Sequence, residues 1–340
     1  MTSQGPRKAD PQRITNLASA FCRSSVLFAA SELGIFTAIS HSGKSDCAGL
    51  AAALNLNPRW AALLLDACVA IGLLEKDGEF YRNSPDVDNF LIPGGAVDLT
   101  AALRGIQDVY CAWNRLSDFV RLGGPVMAQR SQSREGHPDH TAADVLSMHA
   151  RALAMGRSVV RRLDLRSCKN LLDIGGGSGT YSALISLEFP YIHCTVLDLP
   201  EVTKIGSALI AQQGASHNVS MLAGDYHTTA LPPDNDVILL FDILHQESPE
   251  AIQDLLNRAV RVLRPGGVVY VMDMMTDDTH TAPAVSALFA LNLALTAQAG
   301  WVFSYSELKG WMEQAGLSGF SIEALPPPAP HWLARARKPG

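Results

Sequence analysis

The chain has few charged and few aromatic residues for its size. Asp, Glu, Lys and Arg make up 18% of its 340 residues, Phe, Trp and Tyr make up 7%, and the formal net charge is -6. No stretch is rich in Lys or Arg. A protein that binds the phosphates of nucleic acid or an anionic membrane needs such a basic surface. The composition therefore argues against nucleic acid or a membrane as the main partner.

Long apolar runs and closely paired cysteines are also missing from the sequence. No apolar run reaches the roughly 20 residues that a membrane-spanning helix needs. The N-terminal residues MTSQGPRKADPQR are polar and lack the apolar core of a secretory signal, so we expect a cytoplasmic protein. The six cysteines form no CxxC pair. Their spacing favours reduced thiols over a disulfide framework or a zinc site.

Two patterns divide the chain, after an N-terminal stretch of 1–13 that we expect to be flexible. Residues 14–164 are mostly helical in spacing, and within 46–83 a helix, a turn, a second helix and a hairpin follow one another, which predicts a winged helix. From 165 to 340, short apolar runs alternate with helical segments, which is typical of a parallel sheet with crossover helices. We therefore expect a helical domain at 14–164 and an α/β domain at 165–340.

A winged helix is often a DNA-binding module, but the second helix here lacks what that role requires. Recognition helices present Lys, Arg, Asn or Gln to the groove, whereas WAALLLDACVAIGLL carries no basic residue and is apolar nearly all round. A helix of this kind is buried. We therefore expect this domain to pack against another subunit or domain.

The sequence LLDIGGGSG at 171–179 combines the end of a strand with a glycine-rich turn before a helix. Glycines let the backbone approach a ligand closely, although a tight strand-to-helix connection alone gives the same pattern. Asp198 follows Gly179 by 19 residues, at the end of the next strand, where a carboxylate can accept hydrogen bonds from both hydroxyls of a ribose. NAD and S-adenosylmethionine both carry such a ribose, whereas the charge of Asp198 disfavours the 2′-phosphate of NADP.

The acid ahead of the glycines distinguishes these two cofactors. Asp173 stands two residues before Gly175. A carboxylate there repels the pyrophosphate that a nicotinamide dinucleotide places at the helix N-terminus. It suits a ligand with an ammonium group, such as the methionine part of S-adenosylmethionine, either through water or by holding the loop. The pattern therefore favours S-adenosylmethionine.

LLDIGGGSG, VLDLPEV, AGDYH, FDILH and LRPGGVVYVMD, in this order and spacing, resemble the motifs of class I S-adenosylmethionine-dependent methyltransferases. With the winged helix, nearly the whole chain is similar to the small-molecule O-methyltransferases of the caffeate, acetylserotonin and hydroxyneurosporene type. The resemblance implies a Rossmann-like α/β methyltransferase domain with S-adenosylmethionine as donor and S-adenosylhomocysteine as product. It also implies a small-molecule acceptor and a homodimer, formed through the N-terminal domain, in which the N-terminal segment lines the partner's pocket.

The resemblance also assigns the residues that contact the donor. The predicted set is Asp173, Gly175, Gly177, Gly179, Asp198, Leu199, Asp225, Tyr226 and Phe241. In it the glycines cradle the donor, Asp225 contacts the adenine amine and Tyr226 lies against the adenine ring. Phe241 stands where plant relatives carry a lysine near the methionine carboxylate. A turn carboxylate after a strand is the alternative interpretation of Asp225.

His245 closes the apolar strand DVILLFDIL, at the carboxyl end of the sheet where open α/β folds bind their ligands. An imidazole with a pKa of about 6.5 can remove a phenol or enol proton during attack on the methyl group. The resemblance implies that His245 is the general base and that Asp273 orients it. Relatives usually continue this histidine as HDW, whereas this chain has Gln246 and Glu247, and a second family glutamate is replaced by Val302.

The predicted acceptor pocket is apolar and partly aromatic. Its candidates are Met148, Met155, Met274, Phe289, Asn292 and Trp301. Met and aromatic residues at helical spacing are more often core than pocket, which is the alternative for each of them. Iron-binding relatives that methylate carbon need a second histidine near Asn292; none stands there, so we expect no metal, although His280 keeps a metal site open.

The sequence thus predicts an O-methyltransferase for a small aromatic or enolic hydroxyl. Two alternatives stay open. The altered pair after His245 is compatible with C-methylation or a donor-assisted rearrangement on the same scaffold. A non-enzymatic regulator that binds DNA is the other alternative, although the basic recognition helix that it requires is absent.

Overall fold

The computed structural model describes residues 9–95, 98–123, 138–296, 300–327 and 329–340. The chain forms two compact units, 1–107 and 108–340. No single described helix is long and apolar enough to cross a membrane, although Pro11–Glu32 and Ile35–Ser42 pass that test together across a 57° bend.

The first unit contains the predicted winged helix. Its elements are α1 (Pro11–Ser19), α2 (Phe21–Glu32), α3 (Ile35–Ser42), β1 (Ser45–Asp46), α4 (Cys47–Ala53), α5 (Pro58–Ala70), β2 (Leu74–Asp77), β3 (Phe80–Asn83), α6 (Pro85–Phe90) and α7 (Thr100–Trp113), the last of which continues into the second unit. The strands form an antiparallel sheet in the order β1-β3-β2. Asn57 caps α5 through the backbone N–H groups of Arg59 and Trp60, and Gly78 turns the hairpin with φ at 58°.

The apolar second helix of this motif is not buried on all sides in the single chain. Ala61, Leu65 and Cys68 of α5 face the core, whereas Trp60 and Leu63 are 58% and 59% exposed. The expectation of burial all round therefore does not hold for this chain alone, because one face of α5 lies outside the core of its own unit.

The second unit is a layered α/β domain. Its elements are α8 (Leu116–Leu122), α9 (Pro138–Val160), β4 (Asn170–Ile174), α10 (Thr180–Glu188), β5 (His193–Asp198), α11 (Pro200–Gln212), β6 (Val219–Ala223), β7 (Asn235–Phe241), α12 (Pro249–Val262), β8 (Leu263–Asp273), α13 (Ala284–Thr296), α14 (Tyr305–Gln314), β9 (Ser318–Ala324) and β10 (Trp332–Arg337). A short 3₁₀ helix, Leu244–Gln246, follows β7. The α/β architecture predicted from the alternating apolar runs is confirmed.

The seven strands of this domain form one mixed sheet in the order β6-β5-β4-β7-β8-β10-β9. The five strands from β6 to β8 are parallel, and β10 runs antiparallel to β8 and to β9. The strand order reverses between β4 and β7, so the loops after these two strands open a crevice at the carboxyl edge. The glycine-rich turn and His245 occupy these two loops.

Alternate residues of the strands feed two apolar layers. Leu171, Leu239 and Tyr270 pack with α9, α10 and α11 on one face, while Leu172, Leu240 and Val271 pack with α12 and α14 on the other. Both faces are buried, as is expected for a parallel sheet flanked by helices.

The long helix α9 packs on α10 and α11, and so belongs to the second unit in the structure. The sequence predicted a domain boundary at 164–165, after this helix. The apolar pattern of α9 does not reveal which neighbour it covers, because an amphipathic stripe has the same spacing in either domain.

Candidate active site

The glycine-rich turn after β4 is built from left-handed backbone. Gly175, Gly177 and Gly179 have φ of 66°, 56° and 69°, a region that other L-residues rarely adopt. A Cβ on Gly175 would lie 2.6 Å from Ile243, and a Cβ on Gly179 would lie 2.7 Å from Ile210. A Cβ on Gly177 would meet only the Met148 sulfur, at 3.8 Å. Gly177 therefore borders open space, whereas Gly175 and Gly179 are closely packed and leave no room for a side chain.

Asp198 closes this turn from the neighbouring strand. One of its carboxylate oxygens accepts a hydrogen bond from the Gly177 N–H at 2.7 Å, and the other accepts one from the Leu199 N–H at 2.8 Å. Burial raises the pKa of Asp198, and these two backbone hydrogen bonds act against that rise. A carboxylate offers about four acceptor positions, so both oxygens keep capacity for ligand hydroxyls.

Asp173 lies beneath the turn. It is 1% exposed and accepts a hydrogen bond from the Ser182 hydroxyl at 2.8 Å. A Cβ on Gly176 would lie 2.6 Å from its carboxyl carbon. Burial raises the pKa of Asp173 to about 7. Of the two roles considered for this acid, the geometry favours holding the loop.

The loop after β6 carries Asp225 and Tyr226. Asp225 accepts a hydrogen bond from the His227 N–H at 2.8 Å, which is the arrangement of a turn carboxylate. The Tyr226 hydroxyl donates to Glu247, whose side chain also lies 3.2 Å from His227 Nε2. Glu247, which departs from the family pattern, thus ties this loop to the loop of His245.

Arg258 on α12 fixes the same loop from below. Its guanidinium donates to the backbone carbonyls of Tyr226, His227 and Thr229. This residue was not predicted from the sequence, because a lone arginine on an amphipathic helix is typical of a solvent-exposed position. Its fork of donors is suited to several carbonyls at once.

Phe241, predicted among the donor contacts, is 6% exposed and lies in the apolar layer. Its ring meets the edge of the Tyr181 ring at a centroid distance of 5.2 Å. The structure therefore places its side chain in packing on the α10 side of the sheet.

His245 and Asp273 form a buried pair at the carboxyl edge. His245 Nδ1 lies 2.8 Å from Asp273 Oδ1, and the His245 N–H donates to Asp273 Oδ2 at 3.2 Å. The Met274 N–H also donates to Asp273, at 2.8 Å. Both residues are buried, Asp273 completely. The 3₁₀ helix and the end of β8 thus bring together the two residues predicted to be catalytic.

The pKa of His245 is raised. Burial acts to lower it, but the charge of Asp273, the hydrogen bond to Asp273 and the charge of Asp242 outweigh burial. Asp242, three residues before His245, was not predicted as a site residue. Its carboxylate lies 3.1 Å from Nε2 of His331, which is also buried.

Asp242, His245 and Asp273 place ligating atoms within 4.8 Å of one another, a spacing that a metal ion would accept. Both oxygens of Asp273 already accept hydrogen bonds. Asp242 likewise uses one carboxylate oxygen in its contact with His331 Nε2. A metal would have to displace these contacts, and the absence of a metal stays a prediction.

The predicted acceptor residues fall into two groups. Phe289 meets the His245 ring edge-on at 5.5 Å, Asn292 accepts a hydrogen bond from Trp113 Nε1 at 3.2 Å, and the Trp301 N–H donates to the His245 carbonyl at 2.9 Å. Met148 is 43% exposed beside Gly177. Met155 packs against the core, and Met274 is 8% exposed. Phe289 and Trp301 thus contact the proposed base and Asn292 contacts Trp113, whereas Met155 packs against the core.

Known proteins share this architecture. A family model described as an O-methyltransferase domain matches residues 126–318, which is more than half of the chain. The chain belongs to the O-methyltransferase family. A second model, described as an O-methyltransferase dimerisation domain, matches residues 15–91. The family resemblance, the methyltransferase fold and the enzyme class predicted from the sequence are confirmed.

Individual O-methyltransferases cover nearly all of the chain. The tetracenomycin polyketide synthesis 8-O-methyl transferase TcmO of Streptomyces glaucescens is 32% identical over 97% of both chains. The 3-hydroxy-5-methyl-1-naphthoate 3-O-methyltransferase of Streptomyces sahachiroi is 29% identical over 92% of this chain and 91% of its own. Human N-acetylserotonin methyltransferase, solved with S-adenosylmethionine, is 25% identical with a TM-score of 0.84 over 99% of this chain and 100% of its own.

As an O-methyltransferase the protein uses S-adenosylmethionine, and its turn fits that donor. Gly177 leaves open space on the outer side of the turn, where a side chain would intrude. Asp198 accepts one backbone hydrogen bond on each oxygen and keeps acceptor capacity for ligand hydroxyls. When bound, the donor supplies an electrophilic methyl group on a sulfonium.

Proposed function

We propose that this O-methyltransferase methylates the hydroxyl of a small aromatic or enolic acceptor, with His245 as general base and Asp273 as the residue that orients it. The observation that supports this most is the buried contact of 2.8 Å between His245 Nδ1 and Asp273 Oδ1.

This contact selects one tautomer of the imidazole. A carboxylate accepts but does not donate hydrogen bonds, so Nδ1 carries the proton and Nε2 keeps its lone pair. Backbone N–H groups of His245 and Met274 fix the carboxylate in turn. Nε2 is then the nitrogen that takes the hydroxyl proton of the acceptor.

Neighbouring groups hold the base in place. The Trp301 N–H donates to the His245 carbonyl, and the Phe289 ring contacts the imidazole edge-on. Methyl transfer requires the acceptor oxygen in line with the methyl carbon and the sulfur, so a rigid base contributes positioning as well as proton removal.

The surroundings of the base support a flat apolar acceptor. The Phe289 ring offers aromatic surface beside His245, and the backbone N–H of Trp301 bonds to the His245 carbonyl. The relatives named above act on a hydroxynaphthoate and in tetracenomycin polyketide synthesis. We therefore place the acceptor among polycyclic aromatic hydroxyl compounds.

The experiment is incubation of the protein with S-adenosylmethionine labelled in its methyl group and a panel of phenols, naphthols and hydroxynaphthoates. Matched compounds with the hydroxyl replaced by methoxy serve as controls. We expect one labelled methyl on oxygen, located by NMR of the product, and no label in the controls. A methyl on carbon, or label in the methoxy controls, would contradict O-methylation and favour the same scaffold acting in another reaction.

We further propose that the dimerisation domain forms a homodimer through its exposed apolar side chains. Ile14, Leu17 and Phe21 near the N-terminus are 61%, 69% and 55% exposed, and Trp60 of α5 is 58% exposed. Such clustered exposure marks an interaction surface. Light scattering at micromolar concentration should give the mass of two chains, and Leu17→Glu should lower it. A monomer for the unaltered protein would rule out this proposal.

A further inference from the structure

A second His–Asp pair lies beside the proposed base. Asp242 directly follows β7, and His331 directly precedes β10, which lies on the far side of β8. Asp242 Oδ1 and His331 Nε2 are 3.1 Å apart. His331 is 3% exposed, whereas the side chain of Asp242 is 30% exposed. The pair therefore has a buried anchor and an accessible carboxylate.

The environment of His331 fixes its tautomer. Within the described part of the chain its Nδ1 is buried and has no hydrogen-bond partner. A proton on Nδ1 would leave a buried donor without an acceptor, at a cost of about 1–3 kcal/mol. His331 therefore donates its Nε2 proton to Asp242, which holds the carboxylate without needing a positive charge of its own.

The backbone also fixes Asp242. Its φ is 56°, in the left-handed region where Asn and Asp are the tolerated non-glycine residues. Its N–H donates to the Met272 carbonyl at 2.8 Å, and its own carbonyl accepts from the Gln246 side chain at 3.2 Å. A strained conformation kept in place by its surroundings is common at functional sites.

The fixed carboxylate faces the base. A ligating oxygen of Asp242 lies within 4.8 Å of a ring nitrogen of His245 and a carboxylate oxygen of Asp273. The positive charge of Arg151 on α9 lowers the pKa of both Asp242 and His245. On α10, burial raises the pKa of Tyr181, and the charge of Asp242 adds to that rise while Arg151 opposes it. On α13, the side chain that meets the imidazole is the uncharged Phe289. Besides burial, which lowers the pKa of His245, the charges of Asp273 and Asp242 raise that pKa and the charge of Arg151 lowers it.

We propose that Asp242, held by His331, is a second positioning residue for the reaction, whose negative charge stabilises the imidazolium that His245 becomes when it takes the acceptor proton. The proton moves from the acceptor hydroxyl to Nε2, and an oxygen electron pair forms the new bond to the methyl carbon. The bond from that carbon to the sulfonium sulfur breaks, its electron pair stays on sulfur, and the neutral thioether S-adenosylhomocysteine leaves. This inference rests on the proposed role of His245. Asp242 acts through His245 and keeps its own hydrogen bond throughout.

The test follows the titration of His245 by NMR in protein labelled with ¹⁵N-histidine, with the signal assigned through His245→Gln. Asp242→Asn keeps the shape, the tolerated backbone conformation and an acceptor for His331 while removing the charge. We expect the His245 titration midpoint to fall by about one pH unit or more. The acidic limb of the pH profile of kcat/KM should shift to lower pH by the same amount.

Two further variants separate charge from structure. Asp242→Glu keeps the charge and should restore the midpoint at least in part. Asp164 is an exposed carboxylate paired with Arg166, and Asp164→Asn should leave the His245 midpoint unchanged. The same midpoint in Asp242→Asn and the unaltered protein would overturn the inference, as would weaker donor binding with no change in the midpoint. A His245→Ala variant with full turnover would instead refute the proposed base, so the two failures are distinguishable.

Discussion

The turn after β4 and the loop after β7 face each other across the crevice, yet they are built differently. Backbone forms the first, with three glycines of positive φ and the Gly177 N–H, which donates a hydrogen bond to Asp198. Side chains form the second: His245, Asp273 and Asp242 in contact or near contact. The donor side of the site thus depends on conformations that only glycine adopts easily, and the acceptor side depends on charges.

The two buried acids beneath these loops also differ, in the number of hydrogen-bond donors around each carboxylate. Asp173 accepts from one hydroxyl, that of Ser182, and burial raises its pKa to about 7. Asp273 is as deeply buried but accepts from the ring and backbone of His245 and from the Met274 N–H. Burial alone does not decide the role of an acid. The donors around each acid support a structural role for Asp173 and the proposed orienting role for Asp273.

The largest effect should come from the base side. His245→Ala should lower kcat/KM by about 10²–10⁴-fold, the usual contribution of general acid–base catalysis, and Asp273→Asn should lower it in the same direction. Donor affinity, measured by calorimetry, should stay unchanged in both. The exposed Glu323→Gln serves as control. Equal losses of donor affinity and turnover would mean that the two sides are not separate.

On the donor side, Gly177→Ala should weaken S-adenosylmethionine binding about tenfold. The left-handed backbone costs an alanine about 1–2 kcal/mol, and the new methyl enters the open space that the donor fills. Gly43→Ala is the matched control, since its φ is 72° and no atom lies within 4 Å of its added Cβ. It should lose comparable stability but no donor affinity. Unaltered binding in Gly177→Ala would place the donor elsewhere.

The pH dependence of turnover should report the charges on the base side. His245 acts in its neutral form, and its pKa is raised, so kcat/KM should fall with decreasing pH around a midpoint above about 6.5. Removing a negative neighbour favours the neutral form, so Asp273→Asn should move that midpoint downward. A midpoint below the ordinary histidine value in the unaltered protein would argue against this electrostatic account.

A separate effect should concern stability and the acid under the donor turn, and it should leave turnover nearly unchanged. The folded-state pKa of Asp173 is about 7, above its unfolded value of about 4. Its contribution to stability is therefore present below pH 4 and is lost as the pH rises toward 7. Asp173→Asn cannot ionise and should lack this loss. Thermal unfolding from pH 4 to 8 measures the difference, and parallel curves for both proteins would contradict it.

The sequence predicted the donor side more fully than the acceptor side. Gly175, Gly177 and Gly179 could be predicted as site residues because a glycine run after an apolar strand has few other roles. His245 was found from its place at a strand end. Asp242 and His331 were not found, because their pairing depends on β10 returning beside β8, which no local pattern encodes.

Packing explains the other differences. The side chain of Phe241, predicted among the donor contacts, lies in the apolar layer because alternate residues of β7 face opposite sides of the sheet, and its contact with the donor stays a prediction. Met155 likewise packs against the core. Helical and strand periodicity identifies which residues share a face, but the neighbour that covers the face is settled by the tertiary fold.

The proposed base requires one tautomer of His245, the form with the proton on Nδ1. At a pH where the His245 imidazole is neutral, NMR of protein labelled with ¹⁵N-histidine should show a proton on Nδ1 and none on Nε2. Asp273→Asn should abolish this preference. Because the measurement needs no acceptor, it tests the base directly. A proton on Nε2 of neutral His245 would contradict the assignment, since that nitrogen could not then take a proton from the acceptor hydroxyl.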